Sequence, residues 1–419
     1  MFKKFWLIKE DDIGKQSVFW NMMSSGLNSI VSMLLLWVVT LLNGVSDAGI
    51  FSLGFSTSQM MLTIGNYGMR NYQATDVTNK YSIKVYEASR IITNIIMMIS
   101  VLGFVWYEGY YFEKALITIL LCLLKVTDAF DDVYGGYYQL KGRLDISGKI
   151  MSIRIGAYVL GFILTLIFTH SLILSCLISI IISSIVLIVL IHSTKFIIPL
   201  EKPSFQWNKI WNLLTECFPL CISAFLLIYM GNAPKYAIDT YLTAKDQAYY
   251  TYLFMPCFVT NLFVGFALQP LLVRLSKSWV HKEYRKFIKL CGLIFAGALF
   301  ISALIIIAGA ILGCPILSIV FGVSLSSYTQ VLVVLLIGGA FFAFAVIEQV
   351  ILTVMRRQVY LLVGFGIASA IAMFISGILV KKFALLGAAY AYTISAGALF
   401  LVLAFMIFIF LYLEKKKNK

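Results

Sequence analysis

Charge is what this chain has least of. Of its 419 residues only 12% are charged while 61% are hydrophobic; an ordinary soluble domain runs near ~25% and ~45–50%. No soluble core hides that much apolar surface, so lipid must cover it. Histidine is scarce, with three scattered residues, and none of the seven cysteines forms a C-x-x-C pair. Cys217 and Cys221 share a helix face without a histidine or second cysteine pair beside them. That argues against a zinc site or a disulfide framework and leaves buried thiols. No G-x-x-x-x-G-K-[ST] loop is present, so there is no built-in ATPase, and nothing asks for a cofactor. The apolar runs are continuous rather than alternating, which excludes a membrane β-barrel. No soluble domain exists to carry nucleic-acid binding, so the net charge of +14 needs another origin.

What is there is a series of apolar runs: 18–42, 48–67, 91–107, 115–134, 150–168, 172–191, 213–230, 249–273, 287–312, 331–355, 359–380 and 384–413. At ~20 residues per span these predict an all-α polytopic membrane protein of about twelve transmembrane helices. The basic N-terminus (Lys3, Lys4, Lys9, Lys15) precedes a run longer than a signal-peptide core, which reads as an uncleaved first span. With that end placed in the cytoplasm, 27 of the 33 Lys and Arg fall on the inner side. Lys114, Lys235, Lys245, Lys381 and Lys382 fall outside, and Lys125 lies inside a span. The bias predicts cytoplasmic N and C termini, and it accounts for the net charge. The longest interior connection, 192–211, suggests two six-helix lobes, 1–200 and 201–419. The turns SDAGIFSL (46–53) and KDQAYYTY (245–252) are similar enough to suggest a parallel repeat. The outer loops are too short for a catalytic domain, so an enzyme is not expected.

Charges within the membrane are costly and functional by default. The fourth run holds Lys125, Asp128, Asp131 and Asp132. At 100° per residue, Lys125, Asp128 and Asp132 fall within about 60° of one another while Asp131 points away. Lys125 lies about 18 Å along the helix from Glu113, near mid-bilayer. The stripe either lines a hydrophilic cavity, or Lys125–Asp128 is a structural pair with Asp131 and Asp132 at the cytoplasmic interface. Glu348, beside Gln349, must face a partner or water, or be protonated. Asp128, Asp132 and Glu348 are the candidate titrating acids; Glu216, just before Pro219, is near the interface. Arg70, Arg154, Lys235 and Arg274 lie near span ends, where snorkelling is the ordinary reading. Together with Lys125 they would also ring a cavity with the donors a pyrophosphate needs. Tyr134, Tyr137, Tyr138, Tyr249, Tyr250 and Tyr252 either form interfacial belts or stack on sugars.

Four segments in order carry a family resemblance: YGMRNYQATD (67–76), GRLDISGK (142–149), NAPKYAID (232–239) and ILTVMRRQ (351–358). They resemble the Wzx-type polysaccharide and O-antigen flippases of the multidrug/oligosaccharidyl-lipid/polysaccharide (MOP) exporter superfamily. That superfamily also holds the MATE drug exporters and the peptidoglycan-precursor flippases. The resemblance implies two six-helix lobes around a central cavity in a bacterial cytoplasmic membrane. It implies alternating access to undecaprenyl-pyrophosphate-linked oligosaccharide repeat units, with a polymerase and other glycan-assembly membrane proteins as partners. One departure from the drug exporters is that the first span carries no acid, only Asn21 and Asn28. Two other functions stay open: an ion-coupled exporter of small amphipathic solutes, and a membrane enzyme of glycan assembly.

Overall fold

The computed structural model describes residues 5–76, 80–197 and 202–417, without the side chains of 75, 259–273, 358 and 415–417. Lys3 and Lys4 lie outside the described residues. Every regular element described is helical. In chain order the α-helices are α1 (Glu10–Asn43), α2 (Val45–Asn66), the short α3 (Met69–Thr75), α4 (Ile83–Tyr107), α5 (Phe112–Leu140), α6 (Leu144–Thr169) and α7 (Leu172–Ser193). They continue with α8 (Trp207–Tyr241), α9 (Ala244–Val280), α10 (Tyr284–Ala308), α11 (Cys314–Phe321), α12 (Thr329–Val354) and α13 (Leu361–Lys417).

Among the described residues, eight segments are long and apolar enough to cross a membrane. The last of them is two helices joined at Ala384, whose φ of 49° and ψ of −131° are not helical. Helices α2 and α5, with 22 and 29 residues, are long enough but more polar, and α9 has 37 residues. Each of the twelve apolar runs therefore lies on a helix of spanning length. The ninth run is interrupted: α10 passes through a π-helical turn, Gly309–Gly313, into α11. Pro315 follows that turn. It lacks the N–H that would continue the ladder, so the register is reset there.

The chain divides into two compact units, Met1–Phe225 and Leu226–Lys419, and the division falls inside α8. In the first unit α5 is the hub, packing against α2, α3, α4, α6 and α7. Its apolar face (Ile117, Leu121, Leu124) is buried, as are most residues of α2. Helix α3 turns off the end of α2 through Tyr67 and Gly68, both left-handed. A Cβ on Gly68 would lie 2.6 Å from Leu220 Cβ, so both its backbone angle and its neighbour demand glycine. The C-terminal ends of α5 and α7 and the N-terminal end of α6 are closed by Trp6, fully buried among Tyr138, Ile146, Ile150, Leu187 and Leu190. Arg143 Nη2 and Lys149 Nζ hold this segment by donating to the Trp6 and Phe5 carbonyls at 2.8 and 3.0 Å.

In the second unit α12 is the hub, packing against α9, α10, α13 and the π turn. Flanked by leucine and isoleucine, its buried side includes a run of small residues, Gly338, Gly339, Ala340, Ala343 and Ala345. Such residues let backbones approach closely where lipid supplies no hydrophobic drive between helices. Exposed Trp106, Tyr107 and Phe112 surround the α4–α5 turn, and exposed Trp207 and Trp211 open α8. Amphipathic rings of this kind collect at membrane–water boundaries.

Candidate functional site

The charged residues of α5 meet partners from three other helices. Lys125 Nζ lies 2.7 Å from Asp128 Oδ2 and 4.9 Å from the centre of the Phe55 ring. Asp128 Oδ1 is 2.7 Å from Arg154 Nη1 on α6. The same guanidinium donates through Nε and Nη2 to Asp131 Oδ2 at 3.0 and 2.9 Å. Its Nη1 also reaches the hydroxyls of Thr127 and Ser183 at 3.2 and 3.1 Å. Arg154 is 1% exposed, so it is held by charge and hydrogen bonds on every donor-bearing nitrogen.

A second group adjoins the first through Asp132. Arg90, fully buried on α4, places Nη2 2.9 Å from Asp132 Oδ2. Its Nη1 donates to the Gly65 carbonyl and to Asn66 Oδ1. Arg70, on α3, reaches Asp132 Oδ1 at 3.5 Å, the limit of a hydrogen bond, with 30% of its side chain exposed. Seven charged side chains are thus joined, four cations against three carboxylates, leaving a net charge of +1.

The network borders a cavity of about 210 Å³. Arg70, Arg154, Asp128, Asp131 and Asp132 line it, with Asn28, Gln59, Asn66 and Ser147 as further polar walls. At ~30 Å³ per water that is room for about seven waters.

The structure thus brings together Lys125, Asp128, Asp132, Arg70 and Arg154 of the sequence candidates. Three readings need correction. Asp131, which the helical wheel turns away, lines the same cavity, because Arg154 is long enough to grip both Asp128 and Asp131 from the facing helix. Arg154 does not snorkel; it is buried and paired. Tyr138, Tyr250 and Tyr252 are neither belt nor sugar platform: all three are fully buried. The Tyr138 hydroxyl bonds Thr194 at 2.7 Å, and Tyr252 stacks on Phe321 at 4.0 Å.

Lys235 and Arg274 belong to the second unit, where Lys235 is buried with its ammonium 5.5 Å from the Phe254 ring and Arg274 is exposed. Glu348 is 1% exposed on α12, and its Oε2 has no hydrogen-bond partner among the described residues. Glu216 accepts from Lys80 Nζ at 2.6 Å and from the Tyr72 hydroxyl. Arg90 was not singled out by sequence. It lies where the polar 80–90 stretch meets an apolar run, and so reads there as one more inner-side cation.

Comparison with known proteins places this geometry. No family model matches the chain. A multidrug-resistance MATE transporter of the MOP superfamily, in an inward-facing conformation, superposes with a TM-score of 0.71 at 12% identity, covering 93% of this chain and 96% of that one. The lipid II flippase MurJ, inward closed, gives 0.72 at 14% identity over 93% and 87%. A MOP transporter from Pyrococcus furiosus, described as having a binding pocket of reversed polarity, gives 0.63 at 12% over 96% and 95%. The chain has the MOP exporter fold. It is therefore an all-α, multi-pass membrane protein whose structural neighbours are transporters and flippases. A capsular polysaccharide biosynthesis protein of Staphylococcus aureus, CapF, is 25% identical over 380 residues, 88% of this chain and 93% of its own length.

Proposed function

We propose that this MOP-fold chain is a Wzx-type flippase rather than an enzyme. It moves undecaprenyl-pyrophosphate-linked oligosaccharide repeat units from the inner to the outer leaflet of a bacterial cytoplasmic membrane, for surface polysaccharide assembly. The observation that carries the reading is the near full-length similarity to a capsule biosynthesis protein, on a fold shared with a lipid II flippase. The cationic excess of the α5 network supports it. A pyrophosphate needs fixed, multidentate donors, and a polar lining spares it bare contact with hydrocarbon.

In this reading the lobes 1–200 and 201–419 alternate access, with both termini cytoplasmic. Arg70, Lys125 and Arg154 meet the headgroup, and Lys235 and Arg274 contribute from the second lobe. Asp128, Asp132 and Glu348 are the acids that would titrate or compete for those cations. A polymerase would take up the product outside. Export of an anion from a negative interior is favoured by about 2.3 kcal/mol per charge per 100 mV, so ATP is not required.

The deciding experiment is deletion in the native host. Loss of surface glycan, with lipid-linked repeat units accumulating in the inner leaflet, is expected. Surface glycan at wild-type level would overturn the reading. The MATE neighbour of near-equal similarity favours one other function, an ion-coupled exporter of small amphipathic solutes. That function predicts increased sensitivity to cationic drugs on deletion and normal glycan.

A further inference from the structure

The four cations of the α5 network are not equally committed. Lys125, Arg90 and Arg154 are almost fully buried, and each has a carboxylate within 2.9 Å. Arg70 differs in two ways: its pair with Asp132 is 3.5 Å long and its side chain is 30% exposed. Like Arg154, it borders the cavity. It also comes from the short α3, where its stem lies along the Gly135–Gly136 step of α5. A Cβ at Gly135 would be 3.2 Å from Arg70 Nη1, and one at Gly136 would be 3.5 Å from its Cγ. The two glycines leave the guanidinium a groove in which to lie and turn.

Asp132 is the reverse case. Its second oxygen is bound to Arg90, whose side chain has no exposure. Withdrawing Asp132 would leave a buried guanidinium without a counter-charge, which is strongly unfavourable. Any exchange at this junction is therefore one-sided: Arg70 can leave Asp132, and Asp132 cannot leave Arg90.

We infer that Asp132 is an internal competitor that holds Arg70 in reserve, and that the diphosphate of the cargo takes Arg70 from it. This rests on the flippase reading and names the positioning residues of its headgroup site. On arrival, a diphosphate oxygen pair takes the Arg70 guanidinium, while Asp132 stays neutralised by Arg90. On departure, Asp132 recaptures Arg70. The competitor weakens binding, which suits a carrier: a site must bind well enough to load and poorly enough to unload.

The test is a double-mutant cycle on the purified full-length protein in nanodiscs, reading affinity for two probes. One is inorganic pyrophosphate in solution, and the other is a polyprenyl pyrophosphate in the bilayer. Asp132→Asn keeps an acceptor for Arg90 and removes the competing charge, and should tighten binding about fivefold. Arg70→Gln should weaken it at least tenfold. The double variant should match Arg70→Gln, because the competitor matters only through Arg70. Should Asp132→Asn fail to fold, Arg90→Gln with Asp132→Asn removes both members of the buried pair and carries the same expectation.

A gain with both probes supports recognition of the diphosphate itself; a gain with the lipid probe alone supports the same exchange with the chain anchored. Affinity unchanged or weakened in Asp132→Asn, a gain that persists without Arg70, or no binding of either probe by any variant would overturn the inference. A surface glycan unaffected by deletion would instead overturn the flippase reading and leave the exchange measured here standing.

Discussion

The two hub helices make a natural comparison. Helix α5 is the fourth spanning helix of the chain and α12 the tenth, and each is the centre of its own unit. Within its membrane run, helix α5 carries the four charges Lys125, Asp128, Asp131 and Asp132, each with a partner. Helix α12 is packed with small and aliphatic side chains and carries Glu348, whose Oε2 has no partner among the described residues. The lesson is that the hub helices of two units in one fold need not share a chemistry. One hub spends its charges on a paired network beside a cavity, the other on a single carboxyl in an apolar wall. In a bilayer the first arrangement is rigid and specific, and the second is expected to tolerate change of its one charged residue.

The largest expected contrast comes from removing one member of each. Arg154→Ala would leave Asp131 unpaired and Asp128 with Lys125 alone. It should cost about 3–5 kcal/mol, seen as loss of the folded monodisperse protein or a large fall in Tm in detergent. Glu348→Leu should keep or raise Tm, since no described partner loses a bond. Equal losses at both sites would erase the distinction between the hubs.

A smaller structural effect with a full functional one is expected at Lys125 and Asp128. The double change to leucine removes one charge of each sign and leaves Arg154 bidentate on Asp131, so Tm should stay near the native value. Export should nevertheless stop if these charges serve the cavity. A stable and active double variant would reduce the pair to scaffolding. Glu348→Gln sharpens the other side: retained folding with impaired export would make Glu348 a proton-linked residue, and native export would make it structural. The smallest effect belongs to Glu216→Gln, whose pair with Lys80 is half exposed; no measurable change in Tm or export is expected.

Much of this was legible in the sequence. Continuous apolar runs marked every spanning helix, and a period of 3.6 placed Lys125, Asp128 and Asp132 on one face. What failed to show was everything fixed by neighbouring helices. Arg90 and Arg154 look like boundary cations until α4 and α6 are packed on α5, because sequence gives the height of a residue but not the acid facing it. Asp131 was misjudged for the same reason: an angle on one helix cannot anticipate a guanidinium arriving from another. The break at Ala384 and the π turn at Gly309–Gly313 had little signal. Alanine rarely adopts positive φ, and Pro315 marks a disturbance without giving its kind. The buried tyrosines carried no mark to separate core from interface.

The central claim, that the unit built on α5 serves the charged headgroup of a lipid-linked saccharide, is most directly tested in reconstituted vesicles. They would be loaded with an undecaprenyl-pyrophosphate-linked oligosaccharide and assayed for the sugar reachable by an added glycosidase. With an inside-negative potential imposed, the wild-type chain should expose the sugar progressively. Arg70→Gln, inserted and folded to the same extent, should expose none above protein-free vesicles. Equal exposure by the two proteins, or none by the wild type, would contradict the account.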